Sequence, residues 1–183
     1  MTLTYFGTNT PDWWEEYFDS GGWVARGGSK QTIEHMNHVL RVLAIHDIDL
    51  VDKEVLDMGC ALGEGSQLLH EAGASVIGAD FSLSAIQQCR LRYQHIGFIH
   101  TDIREIKGWY DIIVANHILE HMGTDTESII SRLREVCDIL VVSVPSECDH
   151  NLNHDGPHTG QVKTAYEICP PTIREGKVAI WME

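Results

Sequence analysis

The chain has 183 residues, 43% of them hydrophobic and 22% charged, with a formal net charge of −14. That length holds one domain with its own core and is short for two, and a charge this negative repels phosphate backbones and argues against non-specific nucleic-acid binding. No apolar run approaches the ~20 residues that cross a bilayer.

The first residues have neither the basic nor the apolar character of a secretion leader, so a cytoplasmic protein without membrane contact is expected. The cysteines Cys60, Cys89, Cys137, Cys148 and Cys169 are widely spaced, odd in number and form no C-x-x-C pair. That pattern argues against a zinc ribbon and a disulfide scaffold. The nearest thing to a basic patch, Arg90, Arg92, Arg104 and Lys107, reads as solvated helix surface.

The first thirty residues mix aromatics with glycine: Trp13, Trp14, Tyr17 and Phe18, then Gly21-Gly22-Trp23 and Gly27-Gly28. A short helix over 12–18 is predicted, then a loop, then a helix over 30–45 whose apolar residues Ile33, Met36, Val39, Leu40 and Leu43 recur at helical spacing. From Lys53 the texture changes to alternating strands and helices. Strands are predicted at 55–58, 75–79, 97–100, 111–115 and 139–144. Helices are predicted at 64–71, 82–93 with Ser82 as N-cap, and 125–136. The unbroken apolar run at 112–115 suits a strand covered on both faces.

This order implies parallel strands joined by right-handed crossovers, with a ligand site at their carboxyl ends. A polar loop follows at 145–161. Two further strands, 163–169 and 177–182, would close the sheet as an antiparallel hairpin. The expected fold is therefore a Rossmann-like, doubly wound, mostly parallel seven-stranded sheet with an antiparallel C-terminal hairpin. It is read as a single domain, 1–183, with a helical lid at 1–50, a ligand-binding core at 53–145 and a loop and hairpin at 146–183.

The decisive segment is Val55-Leu56-Asp57-Met58-Gly59-Cys60-Ala61-Leu62-Gly63-Glu64-Gly65-Ser66. A glycine turn between strand and helix lets backbone amides approach a ligand closely. It does not fit the dinucleotide fingerprint G-x-G-x-x-G, because Ala61 and Glu64 stand where glycines are needed. Glu64 would also set a carboxylate beside a pyrophosphate, so a cationic ligand without phosphates suits the turn better.

Here the sequence resembles the class I S-adenosylmethionine-dependent methyltransferases. Leu56-Asp57-Met58-Gly59-Cys60-Ala61-Leu62-Gly63 looks like their first motif, with Ala61 at the middle glycine. Val76-Ile77-Gly78-Ala79-Asp80-Phe81-Ser82 looks like the second strand, whose terminal acid holds the ribose hydroxyls. Thr101-Asp102-Ile103 looks like the adenine-contacting turn. Tyr110 to His121, ending His117-Ile118-Leu119-Glu120-His121, looks like the fourth strand and its turn, and Val141-Val142-Ser143-Val144-Pro145 the fifth strand.

The resemblance implies an S-adenosylmethionine site, with S-adenosylhomocysteine as product. It would be formed by Asp57, Gly59, Cys60, Ala61, Gly63, Asp80, Phe81, Ser82, Asp102, Ile103 and Asn116, with Gln31 a further contact. Gly59 and Gly63 would line the methionine part and Asn116 its ammonium. It also implies methyl transfer to a small-molecule acceptor by in-line displacement, a reaction that needs alignment and dryness more than a nucleophile. His117 is the candidate base. Tyr17, Arg26, His121, His154 and His158 are candidate acceptor contacts.

Two other readings stand beside this one. A protein that binds S-adenosylmethionine without catalysis is compatible with the short C-terminal region. His117-x-x-Glu120-His121 also spells a zinc-hydrolase pattern, which requires both histidines on one helix face. His150, His154 and His158 recur every fourth residue, but the neighbouring Asn, Gly and Pro argue against a helical metal stripe. No metal site is expected.

Overall fold

The computed structural model describes residues 10–122, 125–144 and 170–182. The chain opens with three helices, α1 (Pro11–Asp19), α2 (Gly22–Ala25) and α3 (Gly28–Ile45). The alternating core follows: β1 (Glu54–Met58), α4 (Glu64–Glu71), β2 (Ser75–Asp80), α5 (Leu83–Arg92), β3 (Gly97–His100), β4 (Tyr110–Asn116), α6 (Thr126–Arg134) and β5 (Cys137–Ser143). Single 3-10 turns lie at Ile103–Glu105 and Leu119–His121, and the hairpin β6 (Ile173–Glu175) and β7 (Val178–Met182) closes the order.

The sheet runs β3-β2-β1-β4-β5-β7-β6. Its first five strands are parallel, and β7 pairs antiparallel with both β5 and β6. The order reverses between β1 and β4. There two crossovers leave in opposite directions and open a crevice at the carboxyl ends of the strands.

Strand residues alternate between two cores. Val55, Val76, Ile112, Val114, Val141 and Ile180 meet Met36, Val39 and Leu43 of α3, Leu69 of α4 and Ile86 of α5. Leu56, Met58, Ile113, Leu140, Val142 and Trp181 meet Ile129, Ile130 and Leu133 of α6. Burial on both faces is why these strands read as continuous apolar runs.

Most element bounds fall within a residue or two of the sequence expectation. The exceptions have local causes. The stretch expected as a loop before α3 contains α2, one helical turn whose Trp23 lies on Gly28, where any Cβ would run into the indole. The hairpin forms, but its described first strand is the three-residue β6 at 173–175. The strand expected at 163–169 lies outside the described residues, as do His150, His154 and His158. Among the described residues no helix is long and apolar enough to cross a membrane.

Three of the four scattered cations, Arg90, Arg92 and Arg104, have separate local partners. Arg90 donates to the carbonyl of Phe98, Arg92 pairs with Glu64, and Arg104 with Asp102 and Asp125.

Candidate functional site

The turn after β1 sits at the sheet's switch point and is held from several sides. Gly59, Ala61 and Gly63 all lie in the left-handed region, at φ 75°, 49° and 87°. Glycine adopts that region freely; alanine does so at a cost of about 1 kcal/mol. The amides of Gly59 and Cys60 both donate to the carbonyl of Ala79, at 2.7 and 3.0 Å, and that of Gly63 donates to the carbonyl of Cys60 at 2.9 Å. Ala61 donates to Asp80 Oδ2 at 3.0 Å and accepts from Cys89 Sγ at 3.2 Å. A Cβ on Gly59 would run into Ile118. The turn is a rigid, close-packed cradle.

Two carboxylates flank it. Asp57, 2% exposed, accepts from Ser66 Oγ at 2.6 Å and ties β1 to the first turn of α4. Asp80, 4% exposed, accepts from Ala61 and, through Oδ1, from the Ser82 amide at 2.9 Å. Burial pushes each up to about 6, against the opposing pull of these hydrogen bonds. Each Asp80 oxygen takes one close amide, with the Phe81 amide also favouring the ionised form, and lone-pair capacity remains on the carboxylate. Burial also raises the Cys60 thiol well above its ordinary range, so it stays a neutral packing group.

At the end of β3, Asp102 caps its 3-10 turn by accepting from the Arg104 amide at 2.8 Å, and its other oxygen meets the Arg104 guanidinium at 2.9 Å. Ile103 beside it is buried in the α6-side core. Phe81 is half-buried, and its carbonyl accepts from His100 Nε2 at 2.8 Å.

At the end of β4 the backbone turns sharply, with His117 at φ 57°. Its Nδ1 lies 3.4 Å from Oε1 of Glu120, and His35 of α3 stacks on its ring, centroids 3.7 Å apart and 6° from parallel. Three buried polar atoms of this stretch have no hydrogen-bond partner: Asn116 Oδ1, His117 Nε2 and Glu120 Oε2; Trp23 Nε1 in α2 likewise has none. Buried polar groups are nearly always paired, so orphans clustered at strand ends mark where a ligand belongs.

α1 lies over the cradle. Phe18 packs with Ala61, Leu62 and Ala85, and Trp14 and Trp23 lie against that cluster. Trp14 also meets the ring of His121 edge-on at 5.4 Å. Glu15 fixes the helix by accepting from Ser82 Oγ at 2.6 Å and from the Ser84 amide and hydroxyl at 3.0 and 2.6 Å.

Of the sequence candidates, Asp57, Gly59, Cys60, Ala61, Gly63, Asp80 and Ser82 converge on the cradle, and Asn116, His117 and His121 on the end of β4. Asp102 and Ile103 stand at the neighbouring strand end. Tyr17 stacks on Trp13 within the aromatic cluster, and the exposed Arg26 lies 5.6 Å from its ring. Gln31 sits half-buried in the first turn of α3. His154 and His158 lie outside the described residues. Sequence reasoning missed Glu15 and His35, because nothing local marks a contact made across the fold.

The zinc-hydrolase reading needs a helix through His117 and His121. The chain instead leaves β4 through a left-handed residue into one 3-10 turn, so the pattern loses its geometry.

Residues 55–139 match the family described as "Methyltransferase domain". The chain is 28% identical over 147 residues to magnesium-protoporphyrin O-methyltransferase of Synechocystis sp. PCC 6803, covering 73% of this chain and 62% of that protein. It is 33% identical over 104 residues to the ubiquinone biosynthesis O-methyltransferase of Aromatoleum aromaticum, covering 50% and 44%. A crystal structure of the Synechocystis enzyme, magnesium protoporphyrin IX methyltransferase with bound SAM, superposes with a TM-score of 0.69 at 20% identity over 98% of each chain. A second, with bound SAH, gives 0.59 at 26% identity, covering 70% of this chain and 69% of that one. The chain spans about half the length of the curated relatives it matches, 48% of a probable S-adenosylmethionine-dependent methyltransferase of Mycolicibacterium smegmatis.

Proposed function

We propose, on the premise that residues 55–139 belong to the class I S-adenosylmethionine-dependent methyltransferase family, that the protein binds S-adenosylmethionine and transfers its methyl group to a small-molecule acceptor. The observation that carries this is the cradle: three left-handed residues in one turn, tied through Ala61 to Asp80, at the switch point of the sheet. The whole chain acts as one domain, with 1–50 as lid, 53–145 as donor-binding core and 146–183 as loop and hairpin.

The residues present suit the donor. Gly59, Cys60, Ala61 and Gly63 offer close backbone approach for the methionine part, with Asp57 bracing the turn. Asp80 has lone pairs left for two vicinal hydroxyls, and Phe81 and Ser82 shape that wall. Asp102 and the amide of Ile103 address the adenine edge, Asp102 sharing its carboxylate with Arg104. The unpaired Asn116 Oδ1 faces the donor's ammonium, and Gln31 is a peripheral contact.

When bound, the donor supplies an activated methyl on a cationic sulfur. The protein's own part is to align, exclude water and take up a proton. His117 serves as base through Nε2, positioned by Glu120 at Nδ1 and by the stacked His35. Tyr17, Arg26 and His121, with His154 and His158, address the acceptor from the lid and loop side. The protein works in the cytoplasm and has no call for non-specific nucleic acid.

A thermal-shift comparison of S-adenosylmethionine, S-adenosylhomocysteine, NAD and zinc tests the donor assignment. Stabilisation by the two sulfur nucleosides alone is expected; stabilisation by NAD or zinc instead would overturn it. Formation of S-adenosylhomocysteine across an acceptor panel separates catalysis from mere binding.

A further inference from the structure

The buried carboxylate of Asp80 takes its plane from the two close amides that grip it, Ala61 at Oδ2 and Ser82 at Oδ1. Both donors lie outside strand and helix, so neither is fixed by a ladder of its own. Helix α1 reaches both. Phe18 packs with Ala61, Leu62 and Ala85, and its carbonyl accepts from Gln88 Nε2 of α5 at 3.1 Å. Glu15 accepts from Ser82 Oγ at 2.6 Å. Residues at this spacing share a helix face. One face of α1 therefore bears on the same two residues whose amides hold Asp80.

Ser82 passes the contact on. Its hydroxyl has a single hydrogen, which goes to Glu15, and it accepts from the Ala85 amide at 3.1 Å. With both roles taken the side chain is fixed, and its own backbone N–H is aimed at Asp80 Oδ1. The other Glu15 oxygen accepts from the Ser84 amide and hydroxyl, so the carboxylate spans the first turn of α5 as an acceptor at both ends. Short bonds to an ionised acceptor are among the strongest a side chain makes.

We propose that Glu15 is a positioning residue for the donor: through Ser82 it fixes the Asp80 carboxylate in the plane that receives the ribose diol, its own oxygens being taken by Ser82 and Ser84. This rests on the ribose assignment made above. A latch that only holds α1 down would, when removed, weaken every ligand of the cradle alike. A positioning residue acts selectively on the part of the ligand that Asp80 reads.

The test compares S-adenosylhomocysteine with its 2′-deoxy analogue by calorimetry on the full chain. The wild type is expected to bind the deoxy analogue more than about tenfold more weakly. In Glu15→Ala that penalty is expected to fall to about threefold or less. In Glu15→Gln, which keeps the size and one accepting oxygen, it is expected to lie between. In Asp80→Asn the penalty is already small, and adding Glu15→Ala is expected to leave it unchanged. An undiminished penalty in Glu15→Ala, with both ligands weakened alike, overturns the proposal and leaves Glu15 a latch only. If Glu15→Ala fails to fold, an undiminished penalty in Glu15→Gln overturns it in the same way. Equal binding of the two ligands by the wild type takes the ribose from Asp80 and the proposal with it. Failure of S-adenosylhomocysteine to bind the wild type overturns the methyl-transfer reading itself.

Discussion

The amide of Ala61 donates to Oδ2 of Asp80 at 3.0 Å, joining the tip of the cradle to the end of the neighbouring strand. Ala61 makes that contact from a left-handed backbone at φ 49°, with its methyl buried against Phe18, Leu62 and Ala85. Ala61→Gly relieves about 1 kcal/mol of strain. It also loses a packed methyl worth about 0.8 kcal/mol and gains unfolded-state entropy worth about 0.4–1 kcal/mol. The expected net change in chemical denaturation is within about 1 kcal/mol of zero. Ala61→Val sets a β-branched residue in the same conformation and is expected to cost more than about 2 kcal/mol and to abolish donor binding. A Val variant as stable as wild type would contradict the left-handed turn.

Asp80→Ala removes the acceptor for two buried amides and both remaining lone-pair sites. Affinity for S-adenosylhomocysteine is expected to fall more than about tenfold by calorimetry. Unchanged affinity would take the ribose away from Asp80.

Asp57 and Asp80 are each raised to about 6 by burial, so both take up protons as the pH falls below neutrality. A cationic donor favours their ionised forms. Affinity for S-adenosylmethionine is therefore expected to rise between pH 5 and pH 7 and then level, by about tenfold for one coupled group. Without ligand the sign reverses. A carboxyl whose folded pKa exceeds its unfolded one stabilises the fold at low pH, and that contribution is lost as the pH rises from about 4 through about 6. The pH dependence of binding in Asp80→Asn is expected to be shallower; an equally steep profile would assign the titration elsewhere.

Glu15 is the latch of α1. Burial raises its pKa, but the bonds from Ser82 and Ser84 together bring it below the ordinary carboxylate range. That stabilisation is present at neutral pH and is lost as the pH falls through the lowered value. In Glu15→Ala, amides of 11–19 are expected to exchange faster with solvent while those of β1 and β4 keep their protection. Uniform exchange across the chain would show that α1 is no separate lid.

Gly28→Ala drives a methyl into the Trp23 indole. The expected result is displacement of Trp23, seen as a red shift in tryptophan fluorescence, with weaker donor binding and an intact sheet by far-UV circular dichroism. An unshifted spectrum would mean that the indole does not rest on Gly28.

The sequence by itself determined the alternating core, the position of the cradle and the acids that close β1, β2 and β3. Those features are local: buried strands write continuous apolar runs, and a turn that needs left-handed backbone writes Gly59 and Gly63 within five residues. Tertiary structure decided what crosses the fold. Only packing set Glu15 on the first turn of α5 and His35 flat on His117. Contacts between residues tens of positions apart leave no periodicity to read, because they are fixed by how helices settle on the sheet.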